Sequence, residues 1–139
     1  MNENSSSFLL TKNRNCSIII IERVREMNYY IYVDDIRDDD TWYRQNLTGH
    51  DWLPYICRDY QQTIDMLGVA DINNIIIDLD HDLGEGNEMD DTLAPSGYDI
   101  CKYIVENHIP LVGFHLHTMN PVGRENMRQL LTHYGYKEI

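Results

Sequence analysis

The sequence predicts one α/β domain, an open and mostly parallel sheet flanked by helices. Three observations point there. Three apolar runs, Tyr29 to Val33, Ile75 to Leu79 and Leu111 to Leu116, each end in chemically capable polar residues: Asp34-Asp35, Asp80-His81-Asp82 and His117-Thr118. Near-continuous apolar strands of this kind suit a parallel sheet covered on both faces. Helical patterns alternate with the runs, as right-handed crossovers between parallel strands require. A length of 139 residues with 42% hydrophobic side chains fills one core and is short for two.

Taken in order, residues 1–26 are Asn/Ser-rich, then carry Ile18 to Ile21, then Glu22-Arg23-Val24-Arg25-Glu26. This stretch holds four basic and three acidic groups in a chain of net charge -12, so the remaining 113 residues carry -13. The composition changes at Met27. Residues 1–26 therefore read either as an extension upstream of a domain spanning 27–139, with Met27 as its native start, or as a strand or helix formed by Ser17 to Met27. Tyr29 to Val33 is the first strand of the regular pattern. Asp38 to Gly49, with Asp39, Asp40 and Trp42, reads as an irregular segment where a first helix is expected. Tyr55 to Cys57 is a short strand, and Arg58 to Leu67 a helix with Tyr60, Ile64 and Leu67 on one face. After Ile75 to Leu79 comes an acidic loop, Glu85 to Pro95. Ser96 then caps a helix reaching Asn107, with Ile100, Tyr103 and Ile104 at helical spacing. Beyond Leu111 to Leu116, Asn120 caps a last helix from Pro121 to about Tyr134, with proline at its first position.

The bulk numbers exclude several classes. A net charge of -12 repels polyanions, so no broad nucleic-acid surface is expected, while a small phosphorylated ligand held through a metal is compatible with it. Cys16, Cys57 and Cys101 are odd in number and widely spaced, which fits neither a disulfide framework nor a zinc knuckle. No apolar run approaches the roughly 18 residues of a membrane span. A cytoplasmic protein is expected.

In open parallel sheets, ligands sit beyond the carboxyl ends of the strands, where the polar residues of this chain fall. Asp34, Asp35 and Asp80 supply oxygen ligands for a hard divalent cation, Mg²⁺ or Mn²⁺, and without a countercharge such carboxylates raise one another's pKa. Asp82 shares the parity of Asp80 and joins the ligand set, whereas Asp78, one pleat deeper, reads as a structural hydrogen-bonder. His115 and His117 alternate onto one face. His115 reads as a hydrogen-bonded core side chain, and His117, at the strand mouth, as a catalytic imidazole together with His81. Asn120, Gly123 and Arg124 open a helix whose free amides suit a phosphate.

These motifs resemble response-regulator receiver domains, with Asp34-Asp35 in place of their acidic pair, Asp80 of the phospho-accepting aspartate and Thr118 of the hydroxyl residue that ends a strand. The resemblance implies a receiver-like, flavodoxin-like sheet with a degraded first helix and a degraded last strand, since no strand ends in the receiver lysine and only Lys137 lies near its place. A closer similarity is to the cyclic-phosphate processing receiver-like family of phages and bacteria. It is carried by Val33-Asp34-Asp35-Ile36-Arg37, Leu79 to Gly84, Ser96-Gly97-Tyr98-Asp99 and His117 to Met127.

That similarity implies a metal-dependent phosphoesterase that opens a cyclic phosphate, in a cyclic nucleotide or at a 2',3'-cyclic RNA end. Asp34, Asp35, Asp80 and Asp82 would hold the cation, with Asp80 also a candidate for covalent chemistry. His81 and His117 would move protons, and Arg37, Thr118, Asn120, Gly123 and Arg124 would steady the phosphate. The alternative is a non-catalytic receiver-derived module that binds a phosphorylated ligand or a partner protein, such as a viral regulator of host signalling.

Overall fold

The computed structural model describes residues 6–12, 19–25, 28–38, 41–47, 52–69, 74–84 and 94–139, the first two segments as backbone only. Residues 85–93 of the acidic loop, Asp39, Asp40, Gly49, Cys16 and Met27 lie outside the described residues.

In the N-terminal region, β1 (Ser6–Lys12) and β2 (Ile19–Arg25) pair antiparallel as a two-stranded sheet, from Ser6 opposite Arg25 to Lys12 opposite Ile19. Where the sequence left an upstream extension, a strand or a helix open, residues 19–25 form a strand, as the run of β-branched isoleucines favours.

The main sheet contains β3 (Asn28–Val33), β4 (Trp52–Cys57), β5 (Asn74–Leu79) and β6 (Gly113–Leu116), all parallel, in the order β4-β3-β5-β6. The helices are α1 (Thr41–Asn46), α2 (Tyr60–Leu67), α3 (Gly97–Glu106) and α4 (Pro121–His133). This is the expected α/β architecture, with four corrections of detail. The segment read as irregular contains the short helix α1. The strand expected over Tyr55 to Cys57 begins at Trp52, and the one expected from Leu111 begins at Gly113. Helix α2 begins at Tyr60 rather than Arg58, because the Asp59 side chain accepts the Gln62 amide at 2.8 Å and so marks the cap.

Side-chain alternation divides the sheet into two unlike faces. Ile31, Val33, Ile75, Ile77, Leu79, Phe114 and Leu116 point to one, where they pack with Leu67 of α2, Ile100, Cys101 and Ile104 of α3, and Met127 and Leu131 of α4. Tyr30, Tyr32 and Ile76 point to the other, against Trp42, Tyr43 and Leu47 of α1 and the turn after it. Coverage of both faces was the expectation. Among the described residues, three helices cover one face and the two turns of α1 lie on the other.

The start of α3 is fixed to the end of β5. Ser96 caps α3 by accepting the Tyr98 amide at 3.1 Å, while its own amide donates to Asp99 Oδ2 at 2.7 Å. The Gly97 amide donates to the His81 carbonyl at 2.7 Å, and a Cβ at position 97 would overlap the Asp80 carbonyl, so only glycine allows α3 to meet β5 this closely. The last strand is reduced to one parallel bridge between Phe114 and Glu138, with Phe114 N donating to the Lys137 carbonyl at 2.9 Å.

Candidate active site

The site forms where three strands end side by side. The parallel ladder runs one residue past each strand: Asp34 N donates to Cys57 O at 3.1 Å, Asp80 N to Val33 O at 3.0 Å and His117 N to Leu79 O at 3.0 Å. Asp34, Asp80 and His117 therefore start from a rigid backbone, which positions a site better than free loops do. One ligand atom from each lies within 4.8 Å of the others, so these three could hold a metal ion. Asp34, Asp35, Ile36, Arg37, Asp80, Asp82 and Gly84 line the adjoining cavity of about 440 Å³. Asp35 and Asp82, also expected as ligands, line this cavity outside the tight group.

Asp34 is buried, and each of its oxygens has two donors. Oδ1 accepts the amides of Ile36 at 2.9 Å and Arg37 at 2.7 Å; Oδ2 accepts Arg37 Nε at 2.9 Å and lies 3.0 Å from His117 Nε2. Burial pushes the Asp34 pKa up. The two amides, His117 and the Arg37 guanidinium together outweigh it and hold the carboxyl below the usual range. Mutual repulsion was expected to raise it, but that expectation left out Arg37. Its Nη2 also reaches Asp80 Oδ2 at 3.2 Å, so one guanidinium supplies countercharge to both carboxylates.

His117 is held on three sides. Its Nδ1 lies 2.6 Å from Asp78 Oδ1, its Nε2 faces Asp34, and its ring stacks on Tyr32 with centroids 4.5 Å apart and an 8° interplanar angle. Burial lowers the imidazole pKa, but the hydrogen bond and charge of Asp78, the contact with Asp34 and the charge of Asp80 outweigh it and raise the pKa. With a carboxylate at each nitrogen, the imidazolium form is favoured. Asp78 is the hydrogen-bonder expected: it also accepts from the Tyr30 hydroxyl and lies 3.0 Å from His115 Nδ1. His115 is hydrogen-bonded to Asp78 as expected but partly exposed rather than in the core, and stacks on Trp42 with centroids 4.6 Å apart.

The remaining expected residues gather at the start of α4. His81 Nδ1 lies 2.9 Å from Asp82 Oδ1 and 3.4 Å from Asn120 Nδ2, and its ring rests on Gly123, where a Cβ would overlap it. Glycine at 123 was expected to admit a phosphate; the close neighbour the structure shows is this imidazole. Asn120 caps α4 through the Gly123 amide at 2.9 Å, and buried Thr118 Oγ1 accepts the Asn120 amide at 3.1 Å. The Arg124 guanidinium turns back to the Thr118 carbonyl.

A model of the cyclic-phosphate processing receiver domain matches residues 29–133. The chain belongs to that family. No curated protein and no solved structure matches it. Within the receiver frame, Lys137 lies beside Phe114 at the start of β6. At about 3.3 Å per residue, that is about 13 Å from Thr118 at the other end. Among the described residues, the cationic side chain paired with Asp80 is Arg37.

Sequence reading missed Arg58. From the end of β4, its Nη1 donates to the carbonyls of Asp34 at 3.2 Å and Arg37 at 2.9 Å, while Nη2 pairs with Asp38. It clasps the loop that carries Asp34, Asp35 and Arg37. Its position just after a parallel strand was the available signal, obscured by assigning it to the following helix.

Proposed function

We propose that this receiver domain is a metal-dependent phosphoesterase that opens a cyclic phosphate ester, in a cyclic nucleotide or a 2',3'-cyclic RNA end. The observation that carries the reading is the convergence of Asp34, Asp80 and His117 within 4.8 Å beside an open acidic cavity. Carboxylate oxygens of Asp34 and Asp80 suit Mg²⁺ or Mn²⁺, with the His117 imidazolium beside them as a proton donor and not as a ligand. A bound cation would supply Lewis-acid polarisation of the phosphoryl oxygen and a more acidic water.

The chain's own groups account for the rest. His117, charged and fixed by Asp78 and Tyr32, is placed to give a proton to the departing ester oxygen. Arg37, whose side chain is 43% exposed at the rim of the cavity, is placed to take an equatorial phosphate oxygen. His81, beside Asn120 and Asp82, offers a second imidazole on the α4 side. The partner implied is a small phosphorylated ligand.

The test is turnover of cyclic nucleotides and 2',3'-cyclic RNA ends with Mn²⁺ or Mg²⁺, using wild type, Asp80→Asn and His117→Ala. We expect hydrolysis that needs the cation and falls by about 10²-fold or more in each variant. Tight binding of these compounds with no turnover would support the second reading, a non-catalytic phosphate-binding module. That reading draws on Arg37 already neutralising both carboxylates.

A further inference from the structure

Asp34 has no vacant acceptor position. A carboxylate offers about four lone-pair sites, and the amides of Ile36 and Arg37, Arg37 Nε and His117 fill them. A cation can coordinate Asp34 only where one of these partners leaves. The two amides cannot leave without refolding the loop, because Arg58 holds the carbonyls of Asp34 and Arg37. His117 is fixed by Asp78 and by its stack on Tyr32. Arg37 is different. Its side chain is 43% exposed, long and bounded by the cavity, so its guanidinium has room to swing while its backbone stays fixed.

We infer that Arg37 is a built-in competitor of the cation. Its guanidinium bridges Asp34 and Asp80; a divalent cation displaces it from both, and the freed guanidinium turns to the cavity, where an anionic phosphate ligand takes it. Cation and phosphate then help each other bind, because each makes one position of the same side chain favourable. This regulation rests on the reading that Asp34 and Asp80 hold a cation.

Calorimetric titration of the full chain with Mn²⁺ at fixed pH and ionic strength tests it, using wild type, Arg37→Gln, Arg37→Lys and Asp80→Asn. Arg37→Gln is expected to bind Mn²⁺ about ten-fold more tightly than wild type, Arg37→Lys in between, and Asp80→Asn to lose the site. Equal or weaker binding by Arg37→Gln, with Asp80→Asn still impaired, overturns the displacement and leaves the cation reading standing. Absence of Mn²⁺ binding in every protein, Arg37→Gln included, overturns both. The wild-type chain offers a measurement independent of any variant's folding, the nuclear magnetic resonance signal of Arg37 Nε–H. It is expected to exchange slowly in the free protein and to move and exchange fast at saturating Mg²⁺. An unchanged signal at saturation overturns the displacement.

Discussion

The two faces of the main sheet bury side chains by opposite means. Beneath α2, α3 and α4, Ile77, Leu79, Ile100, Phe114 and Met127 meet in one apolar cluster. On the other face, Tyr30, Asp78, His115 and His117 are joined through one carboxylate, with Trp42 and Tyr32 stacked on the imidazoles. The apolar cluster depends on shape and volume. The polar face needs each donor matched to an acceptor, since an unmatched buried group costs its full desolvation. The first face sets the fold; the second aims His117 at Asp34. Damage to the first should remove stability wholesale, and damage to the second should change its dependence on pH.

The largest effect is expected on the apolar face. Phe114 is fully buried among Ile77, Leu79 and the helices, so Phe114→Ala removes a ring that its rigid neighbours cannot replace. A loss of about 4 kcal/mol is expected by urea denaturation, with no new pH dependence. A loss under about 1 kcal/mol would mean that α4 collapses into the gap, and that this face is less rigid than its packing implies.

Asp78→Asn should cost less, about 2 kcal/mol, and change the pH profile. In wild type, burial pushes the Asp78 pKa up, but His115, His117 and Tyr30 outweigh it and lower the pKa, while the His117 pKa is raised. A raised histidine stabilises the fold fully below its unfolded value of about 6.5, and the contribution fades as pH rises through the folded value. A lowered aspartate stabilises above about 3.9 and fades as pH falls. Wild type should therefore lose stability as pH rises above about 6.5, and Asp78→Asn should flatten that slope. Urea denaturation at a series of pH values from 6 to 9 checks it; an equally steep slope in the variant would assign the alkaline loss to another group.

The same contrast explains what could be read in the sequence. Apolar runs ending in Asp34, Asp80 and His117 announced parallel strands, and parity placed His115 and His117 together, because strand periodicity is a local property. Ser96 and Asn120 announced their helices through capping chemistry. The roles of Arg37 and Arg58 were not legible. Both depend on which strand lies beside which, and the order β4-β3-β5-β6 sets that through contacts far apart in the chain. Gly123 shows the same limit: its residue type signalled a close approach, but only the fold identifies the neighbour as His81.

The smallest effect is expected where the main sheet is thinnest, at the tail beside β6. Arg128 grips Glu138 with two hydrogen bonds, Nε to Oε1 at 2.7 Å and Nη2 to Oε2 at 2.9 Å, and the tail makes one bridge to Phe114. Both side chains are about one-third exposed, so water and salt screen the pair, and Glu138→Gln should cost about 0.5 kcal/mol. Arg128 lowers the Glu138 pKa despite partial burial, so the contribution is present above about pH 4.3 and fades as pH falls through the folded value. The difference between wild type and variant should therefore disappear in acid and shrink in high salt, the reverse of the alkaline loss assigned to His117. A cost above about 2 kcal/mol that survives high salt would show that the pair does more than hold a tail. The bridge at Phe114 would then be the anchor of a working fifth strand, and the apolar face would owe part of its stability to the chain's last residues.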